Sequence, residues 1–224
     1  TISEDMKEKM IISHYAKPSI TVFPNWVNLN EITYTPPKKR DLTSPFKILY
    51  SGNIGEKQHI EIIFKLAEML SDQPQFKFII RGAGSRWSDV KKRAARASNI
   101  EALGLVPSER LNATLADADL HIISQVIGSE DSVMPSKLTN MLASGRPILH
   151  VGSKKSAVAN AIKDCGTSVM PDDLNDAKVF LNRLFRDEHY YKTICENSRL
   201  YAENNLDQNR ILKHFLLTIR EEIL

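Results

Sequence analysis

The residues able to do chemistry in this chain gather in two glycine turns and one polar loop. The stretch YSGNIGEKQ, residues 50–58, sets Gly52 and Gly55 around Asn53 and Ile54 directly after an apolar run. Glycines there let backbone N–H groups approach an anion, and a following helix start adds favourable partial charge. An ordinary tight strand-to-helix turn uses glycine as well. The second turn, RGAGSRW at 81–87, supplies Gly82 and Gly84 with Arg81 and Arg86 at its edges. Position 87 is Trp, so the dinucleotide pattern G-x-G-x-x-G is not completed. No acidic residue closes the next strand, which excludes an NAD site of the usual kind.

The third and most informative segment is GSEDSVMPSKLTNMLASGRPIL, residues 128–149. Pro135 suits a first helical turn and Gly145 a position just past a helix end. Ahead of them Ser129, Glu130, Asp131 and Ser132 form a polar loop. The exposed N–H groups of Val133 and Met134, with Ser136, would make an anion site. Ser132 or Ser136, Lys137 and Asn140 stand at spacings that place them toward one side of a helix. That set suits a sugar, its phosphate and a ribose. A well-capped surface helix would account for Pro135 and Gly145, but not for Asn140 inside an apolar run. His59, His121 and His150 each stand alone and are expected in core or surface roles. Cys165 and Cys195 have no C-x-x-C spacing, and they fit reduced thiols with neither a disulfide framework nor a zinc site.

Elements must position these turns. Apolar runs at 46–50, 76–80, 119–123 and 147–151, with shorter ones near 100–103 and 167–170, predict strands. Between them, 58–70 carries Ile60, Ile63, Phe64, Ala67 and Leu70 on one helical stripe. Further helices are predicted at 86–97, 108–116, 135–144 and 155–163, and three more at 174–187, 188–204 and 207–224. Strands alternating with helices at these lengths predict an α/β fold: a Rossmann-like, doubly wound parallel sheet of about six strands with a C-terminal helical extension. The last helix places Leu212, Phe215, Leu216, Ile219 and Ile223 on one face. Ahead of the sheet, Ser3 caps a helix over 3–15 and Ile20–Phe23 forms a short β-like run that breaks at Pro24. The stretch 28–45, with Pro36, Pro37 and the basic triplet Lys38, Lys39, Arg40, has linker composition. The expected division is 1–45, the tail of a preceding domain plus its linker, and 46–224, one Rossmann-like domain.

Bulk properties narrow the class further. The 224 residues are 42% hydrophobic and 25% charged, which is ordinary globular usage. Thirty Lys and Arg against 27 Asp and Glu give a net charge of +3, with no basic block, so nucleic acid is not an expected partner. No run reaches the roughly 18 uncharged apolar residues of a spanning helix. The chain begins at Thr1 in what looks like helix, the expectation for a piece of something longer.

Taken in order, PNW (24–26), YSGNIG (50–55), GAG (82–84), GLVPSERL (104–111) and SVMPSKLTNMLASGRPI (132–148) resemble the C-terminal half of retaining glycosyltransferases of family 4, which have the GT-B fold. The branch that builds bacterial exopolysaccharide, O-antigen and colanic acid is the most similar, and the resemblance covers nearly the whole chain. It implies a domain that binds a UDP- or GDP-linked sugar donor, with Gly52, Asn53, Ile54 and Gly55 at the donor phosphate. Gly104 to Pro107, Val106 among them, would hold the base edge. The family's two glutamates, eight residues apart, fall here on Ser132 and Asn140. Glu130 or Asp131 stands in for the first, and Asn140 can still meet a ribose hydroxyl. Where the family carries Arg after the first glycine this chain has Asn53. Lys57 is therefore the leading candidate for the leaving diphosphate, followed by Arg81, Arg86 and Lys137. Stabilisation of leaving-group charge would be the main catalytic contribution.

The resemblance implies no cofactor and no metal. It implies a saccharide or lipid-linked acceptor reached through an N-terminal domain, peripheral membrane association, and a cytoplasmic location at the inner membrane face. Two other readings stand beside it. One is half of a sugar-nucleotide epimerase on the same architecture, which needs carboxylates across the cleft. The other is a non-catalytic nucleotide-binding module, which the Ser132 and Asn140 departures favour.

Overall fold

Each predicted apolar run becomes a strand, and those at 120–124 and 148–151 are buried along their whole length. In the computed structural model, which describes residues 1–12, 20–37, 39, 41–55, 58–128 and 134–223, six parallel strands make one sheet. They are β1 (Phe46–Asn53), β2 (Phe76–Ala83), β3 (Ile100–Leu103), β4 (Leu120–Ser124), β5 (Ile148–Val151) and β6 (Gly166–Val169), in the order β3-β2-β1-β4-β5-β6. The helices are α1 (Glu4–Ile12), α2 (Glu61–Met69), α3 (Trp87–Ala94), α4 (Leu111–Ala116), α5 (Lys137–Ala143), α6 (Ala157–Ala161), α7 (Asn175–Arg186), α8 (Glu188–Asn205) and α9 (Gln208–Ile223). Ser3 caps α1 by accepting from the Met6 N–H at 3.2 Å.

Strand alternation sorts side chains onto two faces. Phe46, Ile48 and Tyr50 of β1, with Phe76, Phe78 and Ile80 of β2, pack under α2, α3 and α7. Leu49, Ile123 and Ile148 face the other way and pack with α4, α5 and α6. The predicted α2 stripe is buried at Ile60, Ile63, Phe64, Ala67 and Leu70. Burial of each large residue there contributes about 1.5–3 kcal/mol. The helix itself starts at Glu61, later than the pattern suggests, because His59 sits at φ +42° and breaks the turn ahead of it.

The crossovers place the site. From β1 the chain steps outward through α2, β2 and α3 to β3, then returns across the sheet through α4 to β4 and steps the other way. The reversal leaves a crevice between the carboxyl ends of β1 and β4, the topological switch point where open sheets of this kind bind ligands.

One expectation needs correction. Ile20–Phe23 is not a sheet strand. Phe23 N–H donates to the Thr1 carbonyl, and its ring packs on Phe215 of α9 and Trp26. The apolar stripe of α9 is only partly covered, with Leu216 58% exposed. The segment of linker composition is stitched to the domain. Val27 bridges Asp207, Arg199 donates to the Ile32 carbonyl at 2.9 Å, and Arg146 donates to the Thr35 carbonyl at 3.0 Å. Among the described residues no helix is long and apolar enough to cross a membrane.

Candidate functional site

The glycine turns meet at the crevice, and their glycines serve close packing. Strands β1 and β2 pair in register to their last residues, Asn53 opposite Ala83. A side chain on Gly82 would overlap the Gly52 carbonyl oxygen and Ile54, and one on Gly84 would overlap the Ile54 carbonyl. Gly52 and Gly84 also sit at φ +143° and +144°, values L side chains rarely adopt. The Ile54 N–H donates to the Ala83 carbonyl at 2.8 Å, and the Gly55 N–H to Gln58 Oε1 at 3.1 Å. Two N–H groups of the turn are thus engaged within the protein, and the two strand exits form one interlocked ledge. Across the crevice Ser124, ending β4, donates its hydroxyl to the Gln58 carbonyl and ties the two exits together.

The charge in the crevice comes from the start of α5. Lys137 reaches back over β1, its Nζ 4.2 Å from the centre of the Tyr50 ring. A methyl on Gly52 would lie 3.5 Å from that nitrogen, which puts the cation beside the β1 exit. Burial pulls the Lys137 pKa down to about 8. Tyr50 is a residue the sequence pattern does not single out, being a buried aromatic in a strand. Its hydroxyl donates to the Asn53 carbonyl at 2.6 Å, and burial holds the phenol well above its ordinary pKa.

The other candidates occupy distinct places. Arg81 points to the opposite side of β2 and donates to the Gly104 carbonyl at 3.2 Å, bracing the segment that leaves β3. Arg86 and Arg93 both engage Glu61, so Arg86 is held in a pairing between α2 and α3. Val106 is half-buried, with Gly104 and Leu105 exposed beside it. Met134 presents its carbonyl to Asn25 Nδ2 at 3.2 Å, which joins the PNW segment to the start of α5. Ser136 is exposed and Asn140 half-buried, one helical turn apart on α5. Gly145 adopts φ +67° just past that helix, as its position predicts. Lys57, Glu130, Asp131, Ser132 and Val133 lie outside the described residues.

The histidines His121 and His150 are core residues. His150 links Ser168 and Gln125, and His121 meets Ser144, all under the α5 face. Cys165 and Cys195 are buried thiols, and burial pushes the Cys165 thiol up to about 11.

This arrangement has known counterparts. A protein of Escherichia coli (strain K12) named as a colanic acid biosynthesis glycosyl transferase, WcaI, is 31% identical over 241 aligned positions, which span 98% of this chain and 56% of that protein. A crystal structure of S. aureus TarM that holds UDP superposes with a TM-score of 0.75 at 17% identity, over 96% of this chain and 42% of TarM. Anabaena HepE in complex with UDP-glucose does so at 0.71 and 16% identity, over 90% of this chain and 57% of HepE. The chain thus spans about half the length of these proteins. The model of the family described as glycosyl transferases group 1 matches residues 45–187. With that match over the sheet and both glycine turns, the chain belongs to the group 1 glycosyl transferases and forms one half of a GT-B fold.

Proposed function

We propose that this chain, with residues 46–224 as its domain and 1–45 as the approach from a preceding one, binds the nucleotide-sugar donor of a retaining glycosyltransferase. The donor is a UDP- or GDP-linked sugar. The acceptor is a growing bacterial surface polysaccharide or a lipid-linked saccharide, met through a further domain at the inner face of the cell membrane. The observation that carries this reading is the convergence of the interlocked β1 and β2 exits with the Lys137 ammonium at the sheet's switch point. A diphosphate laid there would find one cation in a largely dry setting, where its charge counts for more than in water.

The remaining roles follow the crevice outward. The backbone of Gly104 to Pro107 takes the base edge and Asn140 a ribose hydroxyl. Lys57 adds a second cation to the diphosphate, and Glu130, Asp131 and Ser132 face the sugar. As the bond from anomeric carbon to phosphate oxygen breaks, negative charge grows on the leaving diphosphate. Lys137 and Lys57 stabilise it.

Calorimetry of the chain with UDP, GDP, UDP-glucose and GDP-mannose tests the reading. One nucleotide series should bind, and Lys137→Ala should weaken it about tenfold or more, the scale of a lost charge-assisted contact. Absence of binding by either series at about millimolar nucleotide, a generous ceiling for a specific site, would overturn it.

A further inference from the structure

One side chain touches both walls of the crevice. Tyr50 sends its hydroxyl to the Asn53 carbonyl, 2.6 Å away, at the exit of β1. The face of the same ring carries the Lys137 ammonium at 4.2 Å, from the first residue of α5. The two contacts are independent, because the first uses the hydroxyl and the second the ring. A leucine or phenylalanine would fill this core position equally well by volume, and neither would make both. Tyr50 is fully buried against Ile48, Ile80 and the rest of the α2 face, so its ring has no freedom to follow a moving partner. It acts as a fixed post at the end of β1 against which the first residue of α5 rests.

We propose that Tyr50 is a positioning residue of the anion site, holding the Lys137 ammonium and the β1 exit in one fixed relation so that both face the same phosphate. This rests on the donor reading above and names the residue that organises it. A long lysine side chain loses considerable rotamer freedom when it binds an anion. Held over an aromatic face before any anion arrives, it gives up much of that freedom in advance, and preorganisation of this sort appears as affinity. The hydroxyl adds a second hold on the Asn53 peptide, whose N–H side, that of Ile54, is already bonded to the Ala83 carbonyl.

A double-mutant cycle on the full chain separates this role from simple core packing, with UDP and GDP as the probes. Lys137→Ala tests the donor reading itself: if it leaves the affinity of whichever nucleotide binds unchanged, that reading falls. Tyr50→Leu should weaken the same nucleotide about tenfold in the wild-type background and less than twofold when Lys137 is already alanine, the range expected of a partly buried cation–aromatic contact. Equal losses in both backgrounds would overturn the positioning role while leaving Lys137 as an anion contact. Tyr50→Phe keeps the ring and loses only the hydroxyl's hold on Asn53, so it should weaken the nucleotide a few-fold, less than Tyr50→Leu and to the same extent whether residue 137 is lysine or alanine; wild-type affinity in this variant would overturn the hydroxyl's part of the role. Should Tyr50→Leu fail to fold, the proton spectrum of the wild type decides. The ring should shift the Lys137 methylene resonances upfield in the free chain, and saturating nucleotide should move them. Resonances at ordinary positions that ignore the nucleotide would reject the proposal.

Discussion

His150 donates through Nε2 to Gln125 Oε1 at 3.1 Å, and this bond decides the state of the whole ring. With Nε2 protonated, Nδ1 is left to accept from the Ser168 hydroxyl at 2.7 Å. Burial keeps the imidazole neutral, and a Cβ on Gly152 would come within 2.6 Å of it. Burial pulls the His150 pKa down from 6.5 to about 4. His121 falls to about 3, through burial first and the nearby Arg146 charge second.

Acid should therefore weaken the fold, beginning as the pH falls below 6.5. Both histidines bind protons more readily in the unfolded chain, so their contribution to stability is complete above pH 6.5 and declines as the pH falls toward 4. Each can remove up to about 1.4 kcal/mol per pH unit across that window. Urea melts at pH 7.5, 6 and 5 should show the decline, and His150→Gln should reduce its slope by about half.

The lysine over Tyr50 gives nucleotide affinity a pH dependence of its own. A bound phosphate favours the charged ammonium, so its pKa rises on binding from about 8. Affinity should be complete below pH 8 and fall as the pH rises through it, by up to about tenfold per unit. Lys137→Arg keeps a charge at every accessible pH and should flatten the profile. Titrations at pH 7, 8 and 9 check both statements.

Glycines of the turns should differ sharply in their tolerance of alanine. Gly82→Ala drives a methyl into the Gly52 carbonyl and Ile54, which should destabilise the chain by about 2–3 kcal/mol. Gly104→Ala meets nothing within 4 Å and should stay within about 0.5 kcal/mol of wild type. Thermal or urea melts of the two variants side by side make the comparison.

Arg146 is a structural cation of unusual reach. Its guanidinium, on a residue 4% exposed, donates to the carbonyls of Ala116, Ala118, Thr35, Ser144 and Gly145. Arg146→Met would leave several carbonyls buried without a donor, a loss of about 3 kcal/mol or more. The linker segment around Thr35 should open first, with faster amide exchange at residues 32–35 than in the rest of the variant.

The strands were legible because buried parallel strands are continuous apolar runs, and Phe46, Phe76 and Ile100 open theirs where the pattern places them. Their far ends were not. Ser51, Gly52 and Asn53 pair with Arg81, Gly82 and Ala83 although nothing in their polarity marks them as strand. Ile20–Phe23 has strand composition, yet its apolar residues are taken up by Phe215 and Trp26 outside the sheet. Tertiary packing overrides local preference at such places.

The site was legible in its location and less so in its mechanics. Gly52, Gly82 and Gly84 stand out in the sequence, but spacing cannot distinguish a glycine that admits an anion from one that admits another backbone. Lys137 ranked behind Lys57, since a lysine opening a helix has no sequence mark of reaching back across a strand. Tyr50 carries no signal at all, because its two contacts involve partners 3 and 87 positions away.

The interlock of Gly52, Gly82 and Gly84 also constrains how this molecule can be re-engineered. Two backbones in direct contact form a rail that accepts no side chain and hence no new chemistry. On the proposed donor reading, a shift in donor preference would come from the rail's surroundings: the segment Arg81 braces at Gly104, or the polar face of α5. Libraries aimed at residues 104–107, 136 and 140 would therefore vary recognition over a constant frame, whereas libraries aimed at the turns would mostly return unfolded chains.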